Sequence, residues 1–201
     1  IEGPIIGTIL FKSGGADTIV WNAGGGRDFV DGGAGADTFT INGNNTAEAF
    51  VVYSRVAAQA DGILGLRPET EIVVTRNGVV IAELDNIEEI VINTLNVTAN
   101  DGGGLNQGGN SGDLIQVFGN FAATSLNYST ITIEGSAAND TVDISALQSA
   151  HRIVFRSNGG DDVIIGEMRE QDRFELAEGK TIADYTATDN EDGSTTLATE
   201  G

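Results

Sequence analysis

One nine-residue pattern recurs along this chain and restricts what it can fold into. KSGGADTIV (12–20), AGGGRDFVD (23–31) and GGAGADTFT (32–40) stand near the start, and GGNSGDLIQ (108–116), GSAANDTVD (135–143) and SNGGDDVII (157–165) follow later. Each is anchored on an aspartate: Asp17, Asp28, Asp37, Asp113, Asp140 and Asp162. Two places before the anchor stand Gly15, Gly26, Gly35, Ser111, Ala138 and Gly160; two places after it stand Ile19, Val30, Phe39, Ile115, Val142 and Ile164, all apolar. Glycine at this density is incompatible with helix, where each one costs about 1 kcal/mol relative to alanine. A turn followed by x-apolar-x is instead a very short strand with a single inward side chain, because strand side chains alternate between faces. Strands that short are unstable alone. They must lie beside copies of themselves, which predicts an all-β fold of parallel strands alternating with glycine-rich turns.

The glycines also divide the chain. Eleven of the 28 lie in 1–46 and eleven in 101–166, with three each in 47–100 and 167–201. The expected organisation is an N-terminal repeat block (1–46), a β-rich connecting segment (47–100), a second, degenerate repeat block (101–166) and a C-terminal cap (167–201). In the connecting segment, AFVVY (49–53) is strand-like. EIVVTRNGVVIAEL (71–84) carries Asn77-Gly78 between apolar runs, the signal for a type I′ hairpin. LDNIEEIVIN (84–93) alternates like one longer strand of the stack. LNYSTITIE (126–134) and the β-rich run within 146–155 are further strands. EMREQDRFELAE (167–178) suits a short helical turn or a strand, and Tyr185–Ala198 a terminal hairpin around Asp192-Gly193.

Thirty acidic residues face ten basic ones, for a formal charge of −20. Nucleic-acid binding needs clustered Lys and Arg, and so large a negative charge opposes compaction unless solvated or neutralised by cations. With no cysteine, disulfides and thiolate metal sites are excluded. No apolar run reaches the length of a membrane span. The chain begins Ile-Glu-Gly without methionine and reads as a fragment of something longer. The acids cluster with glycine. Bare turn carbonyls beside a carboxylate form an all-oxygen environment suited to a hard cation, and turns of variable spacing favour Ca²⁺ over the strict octahedron of Mg²⁺.

At GGAGADTFT the residues resemble a family: they match the nonapeptide GGxGxDxUx (U large and apolar) of the haemolysin-type calcium-binding, or repeats-in-toxin (RTX), proteins. The other copies depart from it, with Lys12 and Ser13, Ala138, and Ser157 and Asn158 at glycine positions. The resemblance implies a right-handed parallel β-roll, a C-terminal capping hairpin, type I secretion from a Gram-negative bacterium and folding triggered by extracellular calcium. It implies metal-site residues Gly15, Asp17, Gly26, Asp28, Gly33, Gly35 and Asp37 in the first block and Gly109, Asp113, Asp140, Asn158, Gly160 and Asp162 in the second, for about two to four Ca²⁺ ions. Two nonapeptides make one coil in such a roll, so Asp17 should pair with Asp37 and Asp140 with Asp162. Asp28 should look for a partner near 43–46, and Asp113 should face away from Asp140. Asp31 and Asp143 are secondary candidates. The stretch 146–166 is similar to segments of large secreted bacterial proteins that also carry animal-type haem peroxidase domains.

The expected function is a non-catalytic calcium-binding module of a larger secreted protein, with no nucleic-acid partner and no membrane insertion. The alternatives are part of a polysaccharide-active β-helix enzyme, or an adhesive or surface-layer module. The first alternative lacks a basic residue near clustered carboxylates, and no sequence feature marks an adhesive face; the threonines of 129–134 are too short an alternation for one. His151 beside Arg152 reads as a surface strand residue, Asp161-Asp162 as one surface charge and one ligand rather than a glycosidase pair, and Trp21 as a cap on the stack. The GGG runs at 24–26 and 102–104 lack the Lys-Ser/Thr of a phosphate cradle.

Overall fold

The computed structural model describes residues 9–11, 14–24, 26–44, 46–94, 112–126, 130–149, 151–191 and 194–199. The chain is all-β, built as two sheets between which successive strands pass. The first block holds β1 (Ile9–Phe11), β2 (Thr18–Asn22), β3 (Asp28–Asp31) and β4 (Thr38–Asn42). Then come β5 (Ala49–Ser54), the six-residue helix α1 (Arg55–Ala60), β6 (Ile72–Arg76), β7 (Val79–Asp85) and β8 (Glu89–Asn93). The later strands are β9 (Leu114–Phe118), β10 (Thr130–Glu134), β11 (Thr141–Asp143), β12 (Arg152–Arg156), β13 (Asp162–Ile165), β14 (Arg173–Glu175), β15 (Tyr185–Asp189) and β16 (Ser194–Thr199). The larger sheet runs β1-β3-β7-β6-β5-β9-β11-β13-β16-β15 and the smaller β14-β12-β10-β8-β4-β2. All pairings in the smaller sheet are parallel. Strands from 1–46, 47–100, 101–166 and 167–201 therefore share both sheets.

The core follows from the two-residue period. Ile19, Phe39, Ile90, Ile131 and Ile153 stand in register across the smaller sheet, and so do Trp21, Ile41, Ile92, Ile133 and Phe155. Val30, Ile115, Val142 and Ile164 meet them from the larger sheet in one buried cluster. All six apolar residues placed two after an anchor aspartate belong to that cluster. Each fully buried side chain of this kind stabilises by about 1.5–3 kcal/mol. Trp21, on the edge strand β2, is the buried last member of its core column, with the Arg76 guanidinium 5.9 Å from its ring.

The 47–100 segment interrupts the parallel pattern. β6 and β7 form an antiparallel hairpin closed by Asn77 (φ 50°) and Gly78 (φ 77°), the positive-φ pair that a type I′ turn needs. The hairpin lies between β3 and β5 in the larger sheet, and β8 then joins the smaller sheet between β4 and β10. The β5 and β6 strands are buried on both faces: Val51, Tyr53 and Val73 form a second cluster with Ala58 of α1. Within 167–178 a turn closed by the Asp172 N–H on the Arg169 carbonyl (2.9 Å) leads into strand β14 at Arg173–Glu175. The terminal hairpin is β15–β16, with β16 antiparallel to β13.

Candidate functional site

The acids that precede the strands are aligned in two columns by the strand register. Beside the smaller sheet, the Asp17 N–H donates to Asp37 Oδ1 (2.8 Å) and the Asp37 N–H to Glu88 Oε2 (2.7 Å). Beside the larger sheet, the Glu48 N–H donates to Asp113 Oδ1 (2.7 Å), the Asp113 N–H to Asp140 Oδ1 (2.8 Å) and the Asp140 N–H to Asp162 Oδ1 (2.9 Å). Each carboxylate thus holds the backbone of the neighbouring strand's acid. Asp37, Asp113, Asp140 and Asp162 are at most 4% exposed. Burial pushes the Asp113 and Asp162 carboxyls up to about 7, from an ordinary value near 3.8, and raises Asp140 as well.

The glycines of the turns have specific steric roles. The Gly15 N–H donates to the Ala34 carbonyl (2.8 Å), which sets the 14–17 and 32–37 turns against one another. A Cβ on Gly35, whose φ is +152°, would lie 1.8 Å from the Gly15 carbonyl oxygen. A Cβ on Gly32, the first residue of the fully matching repeat, would lie 2.9 Å from Asp37 Oδ2. The carboxylate therefore folds back against a position that only glycine leaves open. Asp37 Oδ2 and Asp162 Oδ2 are buried without a hydrogen-bond partner. An anionic oxygen in that state lacks the donors that buried charge requires.

Of the sequence-predicted residues, Asp17, Gly15, Gly35 and Asp37 come together as expected, and Gly33 donates its N–H to Asp31 Oδ1 (3.0 Å) beside them. Asp140 and Asp162 meet as expected, while Asp161 is exposed. Asn158 Nδ2 donates to the Gly135 carbonyl (2.9 Å), and a Cβ on Gly160 would lie 2.2 Å from the Ala138 oxygen. Gly109 lies outside the described residues. Three expectations are corrected. Asp113 does not face away from Asp140 but stands directly beside it. The step of 27 residues between them holds two strands, β9 and β10, rather than three, because 120–126 forms no strand. Asp28, preceded by Gly26, lies in register with Ala82 of β7, whereas Gly43 and Asn44 bond to Asn93 and Glu48. His151 is 3% exposed: its Nδ1 lies 2.7 Å from Ser149 Oγ, its ring meets the Phe121 ring edge-on, and burial lowers its pKa.

Asp31 Oδ1 accepts from the Gly33 N–H and the Asn86 side chain, and Asp143 accepts from Ser145 on Oδ1 and Gln116 on Oδ2, so each secondary candidate ties its own turn to a neighbouring segment. Sequence reasoning missed Glu48 and Glu88, which occupy the same register position as the aspartates; Gly43 stands five places before Glu48, as Gly32 does before Asp37, and a Cβ on it would lie 2.4 Å from Glu48 Oε2. An acid immediately preceding an alternating strand (AEAFVVY, IEEIVI) was the available signal. Among the described residues no three acidic or histidine side chains converge as a preformed metal cluster. A cation held here would take most of its ligands from turn carbonyls, which suits the oxygen-rich, loosely defined shell of Ca²⁺. No helix among the described residues is long and apolar enough to cross a membrane. Comparison of the chain with family models, with curated proteins and with solved structures finds no match in any of the three.

Proposed function

We propose that the chain is a non-catalytic, calcium-stabilised module of a larger secreted bacterial protein, built as a right-handed parallel β-roll of the repeats-in-toxin kind and closed by its C-terminal hairpin. The observation that carries this reading is Asp37 Oδ2: buried, unpartnered, and set against Gly32 in the one repeat that matches the nonapeptide completely. Asp162 Oδ2 is likewise buried without a partner in the second block, with Ser157 in place of the glycine. Asp37 and Asp162, with the carbonyls of turns 32–37 and 157–162, are the residues that would hold the ion. Calcium supplies the positive charge that these oxygens lack. At millimolar calcium a site of about 10⁻⁴ M affinity adds on the order of 1.4 kcal/mol. About two to four such sites form a sizeable part of an ordinary folding stability of about 5–15 kcal/mol. Circular dichroism during a calcium titration, followed by chelation, tests it: β structure and melting temperature rise with calcium and fall when it is removed. Melting curves that coincide with and without calcium would refute the proposal.

A second reading has its own support. Carboxyls held near 7 by burial are half-protonated at neutral pH, and a proton satisfies an orphaned oxygen as a cation does. On that reading the columns are metal-independent backbone caps. Melting that responds to pH and ignores calcium selects it.

A further inference from the structure

A cavity of about 790 Å³ opens at one end of the larger sheet. Its walls come from three neighbouring strands, β5, β9 and β11, at the ends opposite the acid column. What leaves each strand builds one wall: α1 after β5, residues 118–123 after β9, and residues 146–148 after β11. Three adjacent strands therefore each leave the repeat pattern at the same corner. Excursions at strand ends, carried on a rigid sheet, are where binding sites are usually placed.

The walls are held in place by the protein itself. The Gly119 N–H donates to the Ala146 carbonyl (3.0 Å) and the Gln148 N–H to the Gly119 carbonyl (2.9 Å). The Ala122 N–H donates to Asn120 Oδ1 (2.9 Å) and the Phe121 N–H to the buried Ser149 Oγ (3.1 Å). A Cβ on Gly119 would lie 2.3 Å from Ser54 Oγ, so glycine is what lets β9 exit beneath α1. The volume falls within the range typical of small-molecule sites, about 300–1,000 Å³.

The lining states the chemistry. Ala57, Ala60, Ala122 and Ala146 leave the space open, and Phe118, stacked on Tyr53 at 5.7 Å, supplies an aromatic surface. Among the described residues no lysine or arginine lines the cavity, and a single charged side chain does. The one charged group is Asp61 at the exposed end of α1, whose Oδ2 accepts from the Tyr53 hydroxyl (2.8 Å). That hydroxyl is pushed up to about 12, by burial first and then by Asp61, and stays a neutral donor. A carboxylate with no basic counterpart, on a chain of charge −20, repels anions and attracts cations.

We propose that this cavity binds a small organic amine, with an aromatic or branched-alkyl body against Phe118 and the alanines and its ammonium group against Asp61. The site does not depend on the calcium reading, because it uses none of the acid-column residues. The test is amide-resolved NMR on the full chain in calcium, titrated with phenethylamine, phenethyl alcohol and phenylacetate. Phenethylamine is expected to shift the signals of 55–61, 118–123 and 146–148. The alcohol binds about fivefold more weakly, the scale of an exposed ion pair, and phenylacetate does not bind. Asp61→Asn lowers amine affinity by about the same factor and leaves the alcohol unchanged, while Ala122→Leu blocks both. Absence of shifts with phenethylamine, equal binding of phenylacetate, or unchanged amine affinity in the isosteric Asp61→Asn protein each overturns the proposal. The Asp61→Asn arm stands even if the Ala122→Leu protein does not fold.

Discussion

Asp37 and Asp140 hold the same place in the same repeat, yet their surroundings differ in kind. Asp37 follows Gly32-Gly33 and accepts one bond, from the Asp17 N–H to Oδ1, leaving Oδ2 bare. Asp140 follows Gly135-Ser136. Its Oδ1 accepts from the Asp113 N–H and the Ser136 hydroxyl, and its Oδ2 from the Ser136 N–H (2.6 Å). The difference lies in the turn backbone: the Ser136 N–H closes on Asp140 Oδ2, whereas the equivalent Gly33 N–H turns to Asp31 Oδ1 and leaves Asp37 Oδ2 open. The degenerate copy is therefore a different solution to the same electrostatic problem: the complete repeat leaves its charge to be compensated from outside, and the altered repeat compensates it internally.

The strongest way to break this contrast is to delete the two carboxylates separately. Asp140→Ala strands the buried Asp113 and Ser136 N–H groups, at about 1–3 kcal/mol for each unsatisfied group. Its melting temperature should fall steeply and by the same amount in calcium and in chelator. Asp37→Ala should destabilise mainly in calcium, where an ion contribution is lost as well. Similar calcium dependence in the two variants would erase the distinction. Next in size is Gly35→Ala. The added carbon meets the Gly15 carbonyl, so the paired turns must separate, at about 1–3 kcal/mol. Equilibrium denaturation measures it, and a calcium midpoint shifted to higher concentration ties the loss to the site.

Smaller is the pH response without metal. The carboxyls of Asp113 and Asp162 stand above their unfolded values, so between pH 4 and pH 7 the native chain binds more protons than the unfolded one. Their stabilising contribution is complete below the unfolded value and lost as pH rises through about 7. In chelator, melting temperature should therefore decline from pH 5 to pH 8, and Asp113→Asn with Asp162→Asn should flatten the decline. A rise over that interval has the wrong sign. The smallest effect belongs to Ser136→Gly. Losing its hydroxyl bond to Asp140 costs about 1 kcal/mol in chelator. Because glycine keeps the backbone N–H that satisfies Asp140 Oδ2, the melting shift on adding calcium should equal the parent's; a larger shift would show that the hydroxyl, not the backbone, closes the site.

The parts of this arrangement that follow a local period were legible beforehand. Phe39 and Ile115 were identifiable as core residues because a single apolar position flanked by outward ones has one sensible orientation. Asn77-Gly78 dictated its hairpin through backbone stereochemistry. What depends on counting across an excursion was not legible. Asp113 lies beside Asp140 only because 120–126 forms no strand, and nothing in FGNFAATSL marks that departure. The same excursion brings Phe121 over His151, which has the inward parity of Ile153 and Phe155. Glu48 and Glu88 escaped notice because their role comes from register with a distant aspartate. The alanines of the cavity are ordinary in sequence, and become informative only when three strands bring them to one corner.

The β6–β7 hairpin has a mechanical consequence. Among the described residues it is the link in the larger sheet between the strands on the β3 side and those on the β5 side, whereas the smaller sheet crosses the same line by direct β4–β8 pairing. A pull along the stacking direction therefore loads two unlike joints side by side, a locally wound ribbon on one wall and a long-range parallel seam on the other. Rupture should begin at this midline, with both halves still intact on either side.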